Sequence, residues 1–200
     1  MNERAATVLE FWFGDQPPEA KVPRQRLRFW FGGEEQSDRL IRERFAGDVE
    51  AAAEGRYDDW TATAHGSLAL ILLLDQFPRN IYRDSPRAYA ADSKAVRVAL
   101  AGLEAAQDRS LAPVQRAFFY LPLEHAEVLA LQQRSVALFQ ALLKEAPPVL
   151  RSNCEGFLDY AVRHRDIIAR FGRFPHRNAT LGRPSTDEEL EFLKQPGSSF

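Results

Sequence analysis

Two segments of the chain carry the same order of chemically useful residue types. Their sequences are DQFPRN at residues 75–80 and RFPHRN at residues 173–178. Proline lacks a backbone donor and clashes with the preceding helical turn, so each segment is expected to end a helix. The repeated pair predicts one polar site made by two turns. Its predicted ligand-binding residues are Arg79, Asn80, His176, Arg177 and Asn178.

Three ionisable residues, Asp75, Glu124 and His164, fall on the apolar stripes of predicted helices. A solvated charge is not expected on such a stripe, and a buried carboxylate or imidazole is costly unless it is paired or hydrogen-bonded. We therefore expect the three side chains to satisfy one another, with Arg79 or Arg177 as a further partner. They are the candidate catalytic residues, with His164 as the acid or base.

A purely structural explanation is open for each of these three residues. Asp75 and Glu124 lie near predicted helix ends, where an apolar stripe often reaches the surface. His164 lies in the middle of its helix, where a hydrogen-bonded core histidine is common. Structural ion-pair networks and functional sites give the same sequence pattern.

The stretch Glu124-His125-Ala126-Glu127 contains three residues of metal-ligating type. One helix cannot direct residues 124, 125 and 127 at one ion, and the chain has no His-x-x-x-His pair or second cysteine. No metal site is therefore predicted. No cofactor is predicted either, because the sequence has no glycine-rich phosphate loop and no nucleophile elbow.

The composition describes a globular chain with an even charge balance. Its 200 residues are 45% hydrophobic, which suits one domain over residues 1–200. A net charge of −2 gives no general attraction to nucleic acid or to an anionic membrane. The single cysteine, Cys154, excludes an internal disulfide and favours a cytoplasmic location. The longest apolar run, Leu68 to Leu74, is shorter than the roughly 20 residues of a membrane span.

Helical periodicity dominates the sequence, and no convincing strand pattern occurs. The predicted helices cover about residues 2–13, 24–31, 37–53, 58–76, 85–106, 113–145, 150–171, and a short segment from 185; the helix at 113–145 continues or kinks at Pro122. Short connections favour antiparallel neighbours. The sequence therefore predicts an all-α fold of stacked antiparallel helical hairpins, with Leu68–Leu74 among its most buried segments.

Four ordered motifs resemble the bacterial "domain of unknown function 924" family. They are LEFWFG at 9–14, LDQFPRN at 74–80, FYLPLEH at 119–125 and FGRFPHRN at 171–178. The resemblance extends over nearly the whole chain and implies a tetratricopeptide-like right-handed superhelix. It implies no activity, cofactor or catalytic residue.

Two functions of different kinds fit these residues. In the first, which we favour, Arg79 and Arg177 hold a small anionic ligand beside His164, as in a binding protein or an enzyme. In the second, helical hairpins present a groove to a peptide or partner protein, with aromatic segments at residues 11–13 and 29–31. A third reading is that the polar turns only lock helix ends together. The sequence does not specify an oligomeric state.

Overall fold

Helices are the only regular elements in the described part of the chain. The computed structural model describes residues 2–15 and 20–199. The α-helices are α1 (Glu3–Phe13), α2 (Arg24–Phe31), α3 (Glu35–Ala53), α4 (Ala64–Ile71), α5 (Phe77–Ile81), α6 (Asp92–Glu104), α7 (Pro113–Glu124), α8 (Leu129–Glu145), α9 (Arg151–Phe171) and α10 (Asp187–Leu193). Short 3-10 helices occupy Asp58–Ala62, Pro86–Tyr89, Gln107–Ser110, Pro148–Leu150 and Pro175–Arg177. The predicted all-α class is confirmed.

Several helix ends follow directly from local sequence. The side chain of Thr186 accepts the amide of Glu189 while the Glu189 carboxylate accepts the amide of Thr186, which forms a capping box at the start of α10. At the other end of α9, Gly172 adopts the left-handed conformation with φ 69°. Glycine takes this conformation without a steric penalty, so α9 stops there.

The apolar run Leu68–Leu74 lies at the centre of the molecule. Each of its residues has no measurable exposure to solvent. The run extends through α4, which packs against α1, α6 and α7. The prediction that this segment is among the most buried is confirmed, because a segment apolar on all sides needs cover on all sides.

The predicted helix over residues 58–76 differs from the structure at both ends. It begins as a separate 3-10 helix, and α4 starts only after Thr63, whose hydroxyl caps it. Beyond α4 the chain forms a π turn at Leu72–Gln76 and continues directly into α5, through Pro78. The prediction that Pro78 ends the helix was wrong. The wider π turn spreads the carbonyl groups ahead of the proline ring, which relieves the usual clash.

Two other predicted helices are divided. The segment 85–106 forms a 3-10 helix at Pro86–Tyr89 before α6 begins at Asp92. The segment 113–145 passes through Pro122 without a break and is interrupted after Glu124 instead. The interruption is held by tertiary contacts: the buried amide of Gln132 donates to the carbonyl oxygens of Glu124 and Ala126, at 2.5 and 2.7 Å.

An aromatic cluster joins the N-terminal helices to the centre. Trp12 of α1 packs against Phe29, Trp30, Phe77 and Phe118, with ring centroids 5.3 to 6.4 Å apart. The aromatic segments at 11–13 and 29–31 therefore contribute mainly to the core. Within the described ranges, no helix combines the length and apolar character needed to cross a membrane.

Candidate functional site

The elements around the π turn bring a set of ionisable side chains together. We refer to this set as the polar cluster; its members are Asp75, Arg79, Tyr89, Asp92, Glu124, His125, His164, His176 and Arg177. They come from the π turn, α5, the end of the Pro86–Tyr89 helix, the start of α6, the end of α7, the middle of α9 and the Pro175–Arg177 helix. The interruption of the helix before α6 and the interruption between α7 and α8 both lie at the polar cluster.

Asp75 and His125 form the innermost pair of the cluster. Oδ1 of Asp75 lies 2.8 Å from Nδ1 of His125, and Oδ2 accepts the Gln76 amide at 2.6 Å. Burial alone would raise the pKa of Asp75, but Arg79 and His125 together hold it below its ordinary value. Burial lowers the pKa of His125. A charged Asp75 therefore accepts the Nδ1 proton of a neutral His125, which leaves Nε2 as the basic nitrogen.

Glu124 and His164 form a second buried pair. Nδ1 of His164 lies 2.8 Å from the Tyr160 carbonyl and 3.2 Å from Oε1 of Glu124. A carbonyl oxygen only accepts hydrogen bonds, so this nitrogen carries the proton and Nε2 is the basic nitrogen of the ring. Burial, with a smaller effect of His125, holds the pKa of His164 well below its ordinary value.

The Glu124 carboxyl group has little to stabilise its charge. The residue is 3% exposed, and its Oε2 has no hydrogen-bond partner among residues 2–15 and 20–199. Burial and the nearby charge of Asp75 raise its pKa well above the ordinary value. Glu124 therefore holds its proton more tightly than an exposed glutamic acid does.

Three donor groups converge in this inner region. One nitrogen or oxygen atom from each of Glu124, His125 and His164 lies within 4.8 Å of the other two. The rings of His125 and His164 have centroids 6.0 Å apart. These three side chains are the residues that can hold a metal ion.

The outer part of the cluster is built on two arginines and a shared carboxylate. Both terminal nitrogens of Arg79 donate to Asp92, each at 2.9 Å. Nη1 of Arg177 lies 3.6 Å from Asp92 and donates to the backbone carbonyl of His125 at 3.0 Å. Both guanidinium groups lie near the Tyr89 ring, 5.6 and 4.7 Å from its centroid. The two proline segments thus meet at Asp92.

The two arginines have different electrostatic surroundings. Burial would lower the pKa of Arg79, but Asp75 and Asp92 raise it. Burial, reinforced by the charge of Arg79, lowers the pKa of Arg177 to about 10. The Nε of Arg177 is buried and has no hydrogen-bond partner in the described part of the chain. Arg177 is therefore the less completely paired of the two cations.

The phenylalanines of both turns are buried, and one of them contacts an arginine of the cluster. Phe77 and Phe174 are fully buried, and the Arg177 guanidinium lies 4.4 Å from the Phe174 ring centroid. His176 is half-buried beside them. Burial and the charge of Arg177 lower its pKa to about 4, so its imidazole is neutral near pH 7.

Two predicted ligand-binding residues bond elsewhere. The Asn80 amide donates to Asp38 at 2.8 Å, in a network with Arg83. The Asn178 amide donates to Ser185 and Glu189, at 3.1 and 3.3 Å. The structure does not bring these two asparagines to the polar cluster, because hydrogen bonds to other elements hold them.

Three members of the cluster were not predicted from the sequence: Tyr89, Asp92 and His125. Asp92 begins α6, where a carboxylate is favoured by the helix dipole, but nothing local shows that it faces two arginines. His125 was set aside because one helix cannot direct 124, 125 and 127 at one point. In the structure α7 ends at Glu124, and His164 comes from α9.

The cluster reaches the surface through its outer members. The side chains of Arg79, Asp92 and His125 are 21%, 18% and 13% exposed. A separate cavity of about 430 Å³ lies between α1, α2 and α7, and no cluster residue lines it. The outer part of the cluster thus carries two guanidinium groups, and the inner part carries carboxyl and imidazole groups of the types that exchange protons.

Comparisons with known proteins agree with this architecture. A structure described as a protein of unknown function, ATU0120 from Agrobacterium tumefaciens, superposes with a TM-score of 0.80. The two sequences are 38% identical, and the alignment covers 96% of this chain and 97% of that one. No curated protein matches. The family profile described as "Bacterial protein of unknown function (DUF924)" matches residues 8–197. The chain therefore belongs to the bacterial DUF924 family.

Proposed function

We propose that this protein binds a small anion, of the phosphate or carboxylate class, at Arg177 and Arg79. The observation that carries the proposal is the incomplete pairing of Arg177. The Arg177 residue is only 6% exposed to solvent. Its Nε atom nevertheless has no hydrogen-bond partner within the described ranges. A buried charged donor without a partner is costly, and an oxyanion that accepts from a guanidinium removes that cost.

Asp92 does not fully compensate the two arginines. It receives a two-point interaction from Arg79 at 2.9 Å, whereas Arg177 stands 3.6 Å away. A purely structural arrangement of two arginines would be expected to pair both. Instead, the Arg177 guanidinium keeps an N–H group that can still donate a hydrogen bond. It lies close to the half-buried Tyr89 and His176.

The His and carboxylate pairs behind this anion site are proposed as catalytic groups. The unprotonated Nε2 atoms of His125 and His164 can accept a proton, and Glu124, whose pKa is raised, can donate one. Asp75 orients His125 through Nδ1, and the Tyr160 carbonyl does so for His164. Their place next to the arginines supports a candidate enzyme that acts on a small anionic substrate.

The alternative, a tetratricopeptide-like module for peptides, has less support. Its sequence support came from the aromatic segments at 11–13 and 29–31. In the structure Trp12 and Trp30 are buried, and their neighbours pack against each other and against Phe118. Most of this aromatic surface is used in the core, and Phe31, which is 52% exposed, is the one exposed ring of the two segments.

Thermal unfolding with added anions tests the proposal. Sodium phosphate or acetate should raise the melting temperature of the wild type more than sodium chloride of equal ionic strength. Arg177→Met should lose that increment. Arg83→Met is the matched control, because Arg83 pairs with Asp38 outside the cluster and the variant should keep the increment. Equal increments in wild type and Arg177→Met would refute anion binding at this site.

A further inference from the structure

We propose that Glu124, His125 and His164 bind one divalent transition metal ion. Two imidazoles and one carboxylate form the protein ligand set of several zinc and non-haem iron centres, with remaining positions left for water or substrate. The inference goes beyond anion binding and does not depend on it, since its ligands are the inner residues of the cluster. In the metal-bound protein these residues act as ligands, and the proton transfer proposed above applies to the metal-free protein.

The first argument is convergence. A nitrogen or oxygen atom of each residue lies within 4.8 Å of the other two. An ion with bonds of about 2.1 Å holds neighbouring ligand atoms about 3 to 3.5 Å apart. The ligand atoms would therefore have to approach one another by up to about 1 to 2 Å to close around an ion.

The second argument is orientation of the histidines from behind. Metal-binding histidines commonly donate their other ring N–H to a carboxylate or a backbone carbonyl. His125 has Asp75 in that role at 2.8 Å, and His164 has the Tyr160 carbonyl at 2.8 Å. For His125 the contact places the proton on Nδ1 and leaves Nε2 to coordinate an ion. Nδ1 of His164 also lies 3.2 Å from Oε1 of Glu124, so binding through Nε2 requires the His164 ring to reorient towards the ion.

The third argument is the condition of Glu124. This carboxyl group is 3% exposed, and its Oε2 lacks a hydrogen-bond partner in the part of the chain that the structure describes. A buried carboxylate without a hydrogen-bond partner destabilises the folded protein, unless a cation supplies the missing contact.

The neighbouring charges permit a cation here. Asp75 places a negative charge directly behind His125. Arg79 is neutralised by its contacts with Asp75 and Asp92, and Arg177 binds the backbone carbonyl of His125 instead of its ring. Each of the two guanidinium groups thus has an oxygen acceptor of its own.

Titration of metal-free protein tests the site. Chelator-treated protein would be titrated with Zn²⁺ by calorimetry and with Co²⁺ by visible absorption. We expect one equivalent to bind to the wild type, with ligand-field bands for Co²⁺ that indicate nitrogen and oxygen ligands. Glu124→Gln and His164→Gln should lose most of this binding. Asp75→Asn keeps the three ligands but removes the negative charge behind His125, and it should weaken binding about 10- to 100-fold.

Controls separate this site from adventitious binding. His65→Gln removes a histidine that lines the separate cavity, and it should bind metal like the wild type. Glu124→Gln preserves side-chain shape, so it stays informative if a histidine variant fails to fold. Absence of stoichiometric binding by the wild type, or wild-type affinity in Glu124→Gln and His164→Gln, would overturn the proposal. Arg177→Met should bind metal while losing the phosphate effect, so the two proposals can fail separately.

Discussion

Nδ1 of His125 lies 2.8 Å from Oδ1 of Asp75, although the two residues are 50 positions apart in the chain. This contact joins the π turn of one helix to the end of another. It fixes the proton of one imidazole and gives a fully buried carboxylate its partner. Arg79 lies 3.1 Å from the same carboxylate oxygen, so Asp75 ties both halves of the polar cluster together.

Loss of Asp75 should therefore be severely destabilising. We expect Asp75→Ala to lower the free energy of unfolding by about 3–5 kcal/mol, because Arg79 loses one partner of a buried charge network. Urea denaturation would measure the change. Asp159→Ala is the control, since Asp159 forms an exposed pair with Arg163 and should cost less than about 1 kcal/mol. Similar losses in the two variants would contradict this assignment.

Phe174 should anchor the second turn and its arginine. Phe174→Ala is expected to cost about 3–5 kcal/mol in urea unfolding, since the ring is fully buried. The variant should also lose the phosphate-dependent rise in melting temperature, because Arg177 stacks on that ring. Phe31→Ala, at a ring that is 52% exposed, should cost much less and keep the phosphate effect. A phosphate effect that persists in Phe174→Ala would show that the ring does not position Arg177.

Gln132 should hold the break between α7 and α8. Its amide donates to two carbonyl oxygens, so Gln132→Leu should cost about 1–3 kcal/mol by leaving them without a donor. Gln133→Leu changes an exposed neighbour and is the matched control. Calorimetric unfolding would compare them. If the two variants melt at the same temperature, the break does not depend on this amide.

Glu189 should contribute a pH-dependent part of the stability. Two hydrogen bonds from Arg173, at 2.6 and 2.7 Å, hold its pKa at about 2. The unfolded chain has a Glu pKa of about 4.3, so the folded state releases this proton more readily. The stabilisation is then complete above about pH 4.3 and is lost as the pH falls toward 2.

Glu189→Gln should flatten the loss of stability between about pH 4.3 and pH 2, as followed by urea unfolding at several pH values. Glu191→Gln, on the exposed side of the same helix, is the control. A wild-type slope in Glu189→Gln would argue against a role for this carboxylate in the acid range.

Much of the fold follows from sequence because its signals are local. The central apolar run, the capping box at Thr186 and the left-handed cap at Gly172 each depend on a few adjacent residues. The break after Glu124 and the passage of a helix through Pro78 were not predictable in this way. The first is held by Gln132 and the second by a π turn, which leaves no distinctive pattern of residue types.

The residues of the candidate site likewise fall into those that local sequence predicted and those that depend on tertiary structure. The repeated turns pointed to Arg79 and Arg177, and both reach Asp92 in the structure. Asp92 and Tyr89 could not be found from spacing, because a helix break brings them to the arginines. Asn80 shows the opposite limit: the same turn that directs Arg79 toward the cluster directs its neighbour to Asp38.

Because of the π turn at Leu72–Gln76, the residues before and after it face directions that differ from those in a regular helix. One extra residue in a turn rotates everything beyond it by about 100° relative to a regular helix. Before the π turn, α4 packs in the core; after it, Arg79 faces Asp92 at the start of α6. Deletion of a single leucine from Leu72–Leu74 would convert the π turn into a regular α-helical turn. The helix would keep its length to within one residue, but Asp75 and the turn after it would no longer face the same neighbours.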